Sequence, residues 1–505
     1  ALPIGEGWEG SSYPQSMLES QQKMPTDTPP PIPQGDPIEI RPPRAVSVHG
    51  LVEFALQAGD LTPGGFQRRD RAQLGTQGHK QVQRSRPAGY QSEVEVAYLV
   101  EGADPQGGAS DPPLEVRGRI DGLYTDAEPL ILEEIKTTTL SLELVGEDHN
   151  PLHWAQAQVY AYMLAQERHL SAVGVHLTYF HLDSRAEKTF ARHFSFAELQ
   201  AFFSSLVTPY LAWMRKVEAW QAQRDRSIAE LNFPYAEYRP GQREMAVAVY
   251  QTIRANSRLY VQSPTGVGKT IAALFPAVKS LVQAAPKGAQ APARIFYLTA
   301  KTPGRIVAEK ALEEMRQAGL QLKSLTLTAK EKSCLCPPAI CDPQICPFAR
   351  DYFGKVKNAL EEIERHQAFT RPQIEEIARQ YEVCPFEFSL DLALWMDVII
   401  CDYNYAFDPR VYLHRFFDLV NEDYIFLIDE AHNLPDRARS MYSAELEKKA
   451  VLELQRRLKG PLPALAKELG VINKVMLEQR KACQAAGQPA LVENQPRGKR
   501  IEAWR

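Results

Sequence analysis

Ser263-Pro264-Thr265-Gly266-Val267-Gly268-Lys269-Thr270 is the stretch on which the reading of this chain turns. A loop that holds a chain of phosphates needs several backbone N–H groups aimed at their oxygens, and glycines such as Gly266 and Gly268 let main chain come that close. Thr265, Gly266, Val267 and Gly268 would form the cradle, Lys269 would reach the β- and γ-phosphates, and Thr270 would ligate Mg2+. The apolar run Leu259-Tyr260-Val261 predicts a strand entering the loop, and Ile271-Ala272-Ala273-Leu274 predicts a helix leaving it. Ser263 departs from the strict G-x-x-x-x-G-K-[ST] pattern, which has glycine there.

A second string offsets that departure. Asp429-Glu430-Ala431-His432 follows Tyr424-Ile425-Phe426-Leu427-Ile428, an apolar run that predicts a buried parallel strand. An acidic pair at the carboxyl end of such a strand suits Mg2+ positioning by Asp429 and activation of an attacking water by Glu430. Two parts of one phosphate site in the expected order predict an ATP-hydrolysing unit.

With 505 residues the chain has room for about three domains. A formal net charge of −4 exerts no global pull toward nucleic acid, so DNA binding would rest on local basic grooves. No apolar run is long enough to span a bilayer and no secretory signal is present, which predicts a cytoplasmic protein without a membrane partner. In that compartment the seven cysteines are not a disulfide framework. Residues 1–45 read as a disordered leader, since 24–43 are dense in proline and poor in apolar side chains. A helix-like pattern opens at Val48.

Cys334, Cys336, Cys341 and Cys346 crowd together between the two phosphate-site strings, and Cys384 follows after a mostly helical interval, 351–381. Thiolates gathered this way point to a metal, either tetrahedral Zn2+ or an Fe–S cluster, since both accept four cysteines. The spacing argues against zinc, which favours paired close knuckles, whereas Cys384 stands alone. Cys401 ends the apolar run Val398-Ile399-Ile400 and reads as packing.

Together the S-P-T-G-V-G-K-T loop, the D-E-A-H string with Asn433-Leu434, and a cysteine cluster ending in Cys384-Pro385-Phe386 resemble the XPD/DinG family of superfamily 2 DNA helicases. Tyr238-Arg239-Pro240-Gly241-Gln242 looks like that family's adenine-reading Q motif, with Gln242 as the reader. Thr299-Ala300-Lys301-Thr302, after Ile295-Phe296-Tyr297-Leu298, looks like its DNA-contacting motif Ia, with Thr299 and Lys301 as contacts. Cys401-Asp402-Tyr403-Asn404-Tyr405 resembles the segment leading into motif II. The resemblance covers residues 233–440 and implies ATP and Mg2+ as cofactors, translocation 5′ to 3′ on single-stranded DNA, and a [4Fe–4S] cluster. Its ligand role is carried to Cys334, Cys341, Cys346 and Cys384, with Cys336 left as a spare.

Upstream lies a separate constellation. Asp121 follows Val116-Arg117-Gly118-Arg119-Ile120, and Glu134 and Lys136 follow Leu130-Ile131-Leu132, so two strands are predicted. Residues two apart on a strand share a face, which would turn Glu134 and Lys136 toward Asp121 and Glu133 away. Two carboxylates could hold Mg2+ or Mn2+ while the ammonium stabilises hydroxide or the developing phosphorane. Gly75-Thr76-Gln77-Gly78-His79 lies before this set, and Gln156 and Tyr160 fall on one face of a helix predicted over 151–165. The whole set resembles the RecB branch of PD-(D/E)xK nucleases, which implies His79, Asp121 and Glu134 as metal ligands and Gln156 and Tyr160 as DNA contacts. Glu93 and Glu95 are either a solvated strand face or a further carboxylate.

After residue 440 the sequence turns to amphipathic helix, 445–459 and 462–484, with no Q-x-x-G-R-x-x-R string downstream. By resemblance this tract is the start of a helical arch, with the second RecA-like lobe absent, so the chain would bind nucleotide but hydrolyse ATP poorly. The expected fold is α/β: a leader (1–45), a PD-(D/E)xK nuclease domain (46–230), a RecA-like P-loop domain in two parts (231–330 and 395–440), a helical Fe–S insertion between them (331–394) and the start of the arch (441–505). The expected function is an ATP-dependent DNA helicase fused to a metal-dependent nuclease, acting on single-stranded or branched DNA in repair. The alternative is a helicase whose front domain only docks DNA.

Overall fold

The structure is a computed structural model that describes residues 44–61, 68–101, 113–264, 266–282, 293–300, 302–336, 341–417 and 423–490. The expected leader up to residue 43, Thr265 and Lys301 lie outside the described residues.

Two sheets organise the chain. The first unit runs β1 (Arg44–Ser47), α1 (Val48–Leu56), α2 (Arg68–Arg84), β2 (Tyr90–Val100), β3 (Leu114–Tyr124), β4 (Ile131–Thr138), α3 (Pro151–Arg168), β5 (Ala172–His181), β6 (Glu187–Ser195) and α4 (Phe196–Glu230). Its mixed sheet has the order β1-β3-β4-β5-β6, with β2 paired to β3. Hairpin neighbours are antiparallel, while β1 with β3 and β4 with β5 are parallel. Val116, Ile120 and Leu132 from the strands meet Ala157, Ala161 and Leu164 of α3 in one fully buried core. The small residues on α3 let the helix lie close to the sheet.

The second unit continues with α5 (Gln242–Arg254), α6 (Lys269–Ser280), β7 (Arg294–Leu298), α7 (Thr302–Gln317), β8 (Ser324–Thr326), α8 (Lys330–Ser333), α9 (Tyr352–Leu360), β9 (Ala368–Phe369), α10 (Arg371–Tyr381), α11 (Pro385–Ala393), β10 (Val398–Cys401) and β11 (Tyr424–Ile428). Its five strands are all parallel, in the order β11-β7-β10-β8-β9. Parallel strands covered on both faces read as unbroken apolar runs. Accordingly Ile295 and Tyr297 join the core toward α6 and α7, while Phe296 and Leu298 join the core toward α9, α10 and α11.

Two expectations fail on this sheet for one reason. Residues 257–264 form no strand, and Leu259, Tyr260 and Val261 are 40%, 88% and 43% exposed. The run Tyr424–Ile428 is a parallel strand, but an edge one that pairs β7 alone and leaves Phe426 and Ile428 exposed. A strand needs a neighbour for its N–H and C=O groups, and among the described residues none lies on the outer side of β11.

Helix α4 carries the chain from one unit to the other. Ser195 and Glu198 close a capping box at its start. Its first half packs Leu199, Phe203 and Leu206 into the first core, and its end packs Ile228 into the second. Between them Trp213 meets Trp395 edge-on at 5.1 Å, and Arg224 Nη1 lies 2.6 Å from Asp397 Oδ1 in a buried pair. Two helices, Lys448–Leu458 and Pro463–Ala485, pack on each other beyond the sheet, close to the spans predicted.

Candidate functional site

Three constellations take shape, each where sequence had placed its parts. The first surrounds the loop before α6. Gly268 caps that helix at φ 83° and Gly266 sits at φ 88°, conformations that a side chain would strain. Lys269, first in the helix, donates to Ser263 O at 3.2 Å and lies 3.7 Å from Glu430 Oε1. Asp429 leaves β11 with its N–H on Leu298 O at 2.9 Å, and its Oδ2 accepts from Thr299 Oγ1 at 3.4 Å. Amine, acidic pair and glycine turn, far apart in sequence, are therefore neighbours. Burial pushes the Asp429 carboxyl up, the Glu430 charge adds to that, and Thr299 and Lys269 oppose it. A cation beside it would reverse the first two effects.

Gln242 is buried, with Oε1 accepting from Arg239 N at 3.0 Å and Nε2 donating to Gly268 O at 3.3 Å. It touches the phosphate loop directly. Thr299 is 2% exposed, its N–H donates to Cys401 O at 3.0 Å and its hydroxyl meets Asp429.

Residues unread from sequence complete the arrangement. The fully buried Tyr403 donates its hydroxyl to the carbonyls of Asp429 and Glu430, fixing a turn in which Glu430 stands at φ 51°. Gly304 on α7 comes so close that a Cβ there would lie 2.2 Å from Thr299 Oγ1 and 2.8 Å from Asp429 Oδ2. Glycine inside a helix is a visible signal, though its partner is not.

The second constellation is the cysteine cluster. Cys334 Sγ accepts from Cys336 N at 3.4 Å, the Cys336 thiol bonds Cys346, and Lys330 bonds the Cys341 thiol. Cys384 stands at the N-cap of α11 and is buried, which pushes its thiol up to about 11. Cys336 lies one tight turn from Cys334, its N–H on Cys334 Sγ. Cys401 is fully buried in β10 and burial raises its thiol steeply, as packing requires.

The third constellation joins α2, β3, β4 and α3 of the first unit. The register sets Gly122 opposite Glu133, which brings Asp121 level with Glu134. His79 Nδ1 lies 3.2 Å from Asp121 Oδ1, and Asp121 Oδ2 accepts from Ile135 N at 2.7 Å. Lys136 Nζ sits 2.7 Å from Glu134 Oε1 and donates to Gln156 Oε1 at 2.9 Å. Glu134 is 2% exposed, and its Oε2 is buried without a hydrogen-bond partner. Desolvation pushes its carboxyl up to about 7, with Lys136 opposing and Asp121 adding. His79 is raised: burial alone would lower it, and the Asp121 carboxylate overrides that.

Gln156 and Tyr160 do share a face, but Gln156 is held by Lys136 and Tyr160, 5% exposed, packs over Gly118. They brace the centre in this conformation. Glu93 is tied to Gln83 at 2.8 Å and Arg119 at 2.7 Å, and Gln83 also donates to Asp121 O at 3.0 Å.

For a divalent ion the residues fit in donor type: two carboxylates, an imidazole and one buried oxygen with no other partner. Among the described residues, no three His, Cys, Asp or Glu side chains close into a ready-made metal cage, and no helix is long and apolar enough to cross a membrane.

Residues 305–451 match the DEAD_2 family model. A regulator of telomere elongation helicase 1 homolog of Culex quinquefasciatus is 23% identical over 276 residues, which are 43% of this chain and 28% of that protein. The general transcription and DNA repair factor IIH helicase subunit XPD of Arabidopsis thaliana is 25% identical over 239 residues, 40% of this chain and 30% of that one. The chain thus spans under a third of the length of these relatives. A solved XPD helicase structure aligns over 49% of this chain and 41% of its own at 19% identity, with a TM-score of 0.35, a likeness that sets no constraint on the fold. The family match and the relatives support an XPD-like superfamily 2 helicase unit.

Proposed function

We propose that the chain belongs to an ATP-dependent DNA helicase, moving 5′ to 3′ on single-stranded DNA, with a metal-dependent DNA nuclease as its first unit. The observation that carries the motor reading is the meeting of Lys269, Asp429 and Glu430 at one glycine turn. Bound ATP would lay its phosphates on the N–H groups from Gly266 to Thr270, with Lys269 neutralising the transferred phosphoryl. Thr270 and Asp429 would hold Mg2+, whose charge draws electron density from the phosphates. Glu430, half-exposed beside Lys269, would orient the attacking water. Gln242 would keep the loop shaped for the base it reads.

In the first unit, His79, Asp121 and Glu134 would hold Mg2+ or Mn2+, and Lys136, already braced by Gln156, would stabilise the charge that develops on phosphorus. The cysteines 334, 336, 341, 346 and 384 would supply four ligands to an Fe–S cluster whose role is structural rigidity of the insertion. Repair of branched DNA is the setting this combination suits. MgATP binding and Mn2+-dependent DNA cleavage are the tests: Lys269→Ala should abolish the first and spare the second, and Asp121→Ala should do the reverse. Loss of both or of neither in a folded variant contradicts the assignment.

A further inference from the structure

Helix α2 brings His79 to Asp121. The packing around it, among the described residues, is a small cluster of Val82, Ile135 and Phe180 with Leu182 against it. Polar ties seat it as well. Two of these are His79 and Gln83 on Asp121. The third is larger and lies on the opposite face of β4, behind Glu134.

There Glu133, 1% exposed, is bound from four directions. Arg86, two residues past the end of α2, holds it with both arms of a fork, Nε to Oε2 at 3.0 Å and Nη2 to Oε1 at 2.7 Å. Tyr90 of β2 donates to Oε2 at 2.9 Å, Thr178 of β5 to Oε1 at 2.6 Å, and Tyr124 of β3 to Oε2 at 3.4 Å. Arg86 Nη2 also meets Glu187 of β6 at 2.9 Å. The carboxylate is thereby tied to β2, β3 and β5, and through Arg86 to β6 and to the segment that follows the histidine-bearing helix.

We propose that Arg86 and Glu133 are a positioning pair for the metal centre of His79, Asp121 and Glu134. Resting on the nuclease reading above, this assigns a purpose to a buried charge that touches no reacting atom. Glu133 and Glu134 are adjacent on β4 and point to opposite faces, so a clamp on one fixes the backbone that aims the other. The same clamp holds the chain just past the end of α2, which lies about 8 Å along the helix from His79 at 1.5 Å per residue. A bidentate guanidinium fork sets angle as well as distance, which a lysine would not. Supporting residues of this kind typically change metal affinity or turnover about 10- to 100-fold.

The experiment measures Mn2+ affinity by calorimetry, and the kcat and KM of Mn2+-dependent DNA cleavage, on the full chain. Wild type and Asp121→Ala come first, to establish binding that depends on the centre. The paired variant Arg86→Gln/Glu133→Gln removes both charges together, so no lone buried ion remains to unfold it, and Glu133→Gln alone serves as a second probe. The proposal expects Mn2+ to bind about 10-fold or more weakly and kcat to fall by a similar factor, with KM for DNA within twofold and the circular dichroism spectrum retained. Arg86→Lys should fall between variant and wild type. Unchanged Mn2+ affinity and kcat in a folded paired variant overturn the positioning role while leaving the nuclease reading intact. Absence of Asp121-dependent Mn2+ binding in wild type overturns the nuclease reading and the positioning role with it.

Discussion

Replacing Glu134 with glutamine should stabilise the metal-free protein in proportion to pH. The Glu134 carboxyl is almost wholly buried, one of its oxygens has no partner, and desolvation raises it from 4.5 to about 7. A carboxyl raised in the folded state binds its proton more tightly there than in the unfolded chain. Its contribution to stability is therefore complete below pH 4.5 and is lost as pH rises to and through 7. The interval between those two values corresponds to about 3 kcal/mol at 1.4 kcal/mol per pH unit. Glutamine has the same shape and does not titrate. The stability difference between variant and wild type should thus move in the variant's favour by about 3 kcal/mol between about pH 4.5 and pH 8, most of it above pH 5. Urea unfolding in the presence of a chelator across that range measures it. Adding Mn2+ at pH 8 should then stabilise the wild type and leave the variant unmoved, since an ion supplies the partner that Glu134 Oε2 lacks beside the Lys136 pair on Oε1. A pH-independent difference, or one that moves against the variant as pH rises, would refute the picture of Glu134 as a buried, under-compensated metal ligand.

Arg224→Ala should cost about 3–5 kcal/mol, because it leaves the Asp397 carboxylate buried without its ion partner. Accelerated proteolysis within α4, where the two units meet, would register the loss. Cys384→Ser and Cys346→Ser should each abolish iron retention and visible absorption of protein purified without oxygen, whereas Cys401→Ser should leave both unchanged. Cys336→Ser separates the ligand sets: iron loss places that thiol among the four, and full retention restores it to the spare role. Tyr403→Phe removes the hydroxyl from the Asp429 and Glu430 carbonyls, and a loss of about 1 kcal/mol in MgATP binding, roughly fivefold, should follow.

What sequence disclosed and what it hid divide along physical lines. The phosphate loop was legible because its chemistry is local: glycines at positive φ before a helix whose first residue is the lysine. The Asp121–Glu134 pair was legible because side chains alternate along a strand, which also sent Glu133 to the opposite face as expected. The Leu259-Tyr260-Val261 strand was misread because apolar character alone does not supply a neighbouring strand. The burial of Thr299 was not legible because its partners Cys401 and Asp429 lie a hundred or more residues away in the chain. The contacts of Tyr403 and Arg86 were not legible, since each bonds groups far off in sequence, and neither a tyrosine inside a motif nor an arginine past a polar helix names its partner.

Equilibrium binding of a fluorescent ADP analogue, with and without Mg2+, tests the central claim most directly, since everything about the motor depends on one site shared by residues 266–270 and 429–430. The account predicts that the wild type binds, that Lys269→Ala binds at least about tenfold more weakly, and that Asp429→Asn removes the dependence on Mg2+ while keeping residual nucleotide affinity. Equal binding by all three proteins, with Mg2+ having the same effect on each, would contradict it.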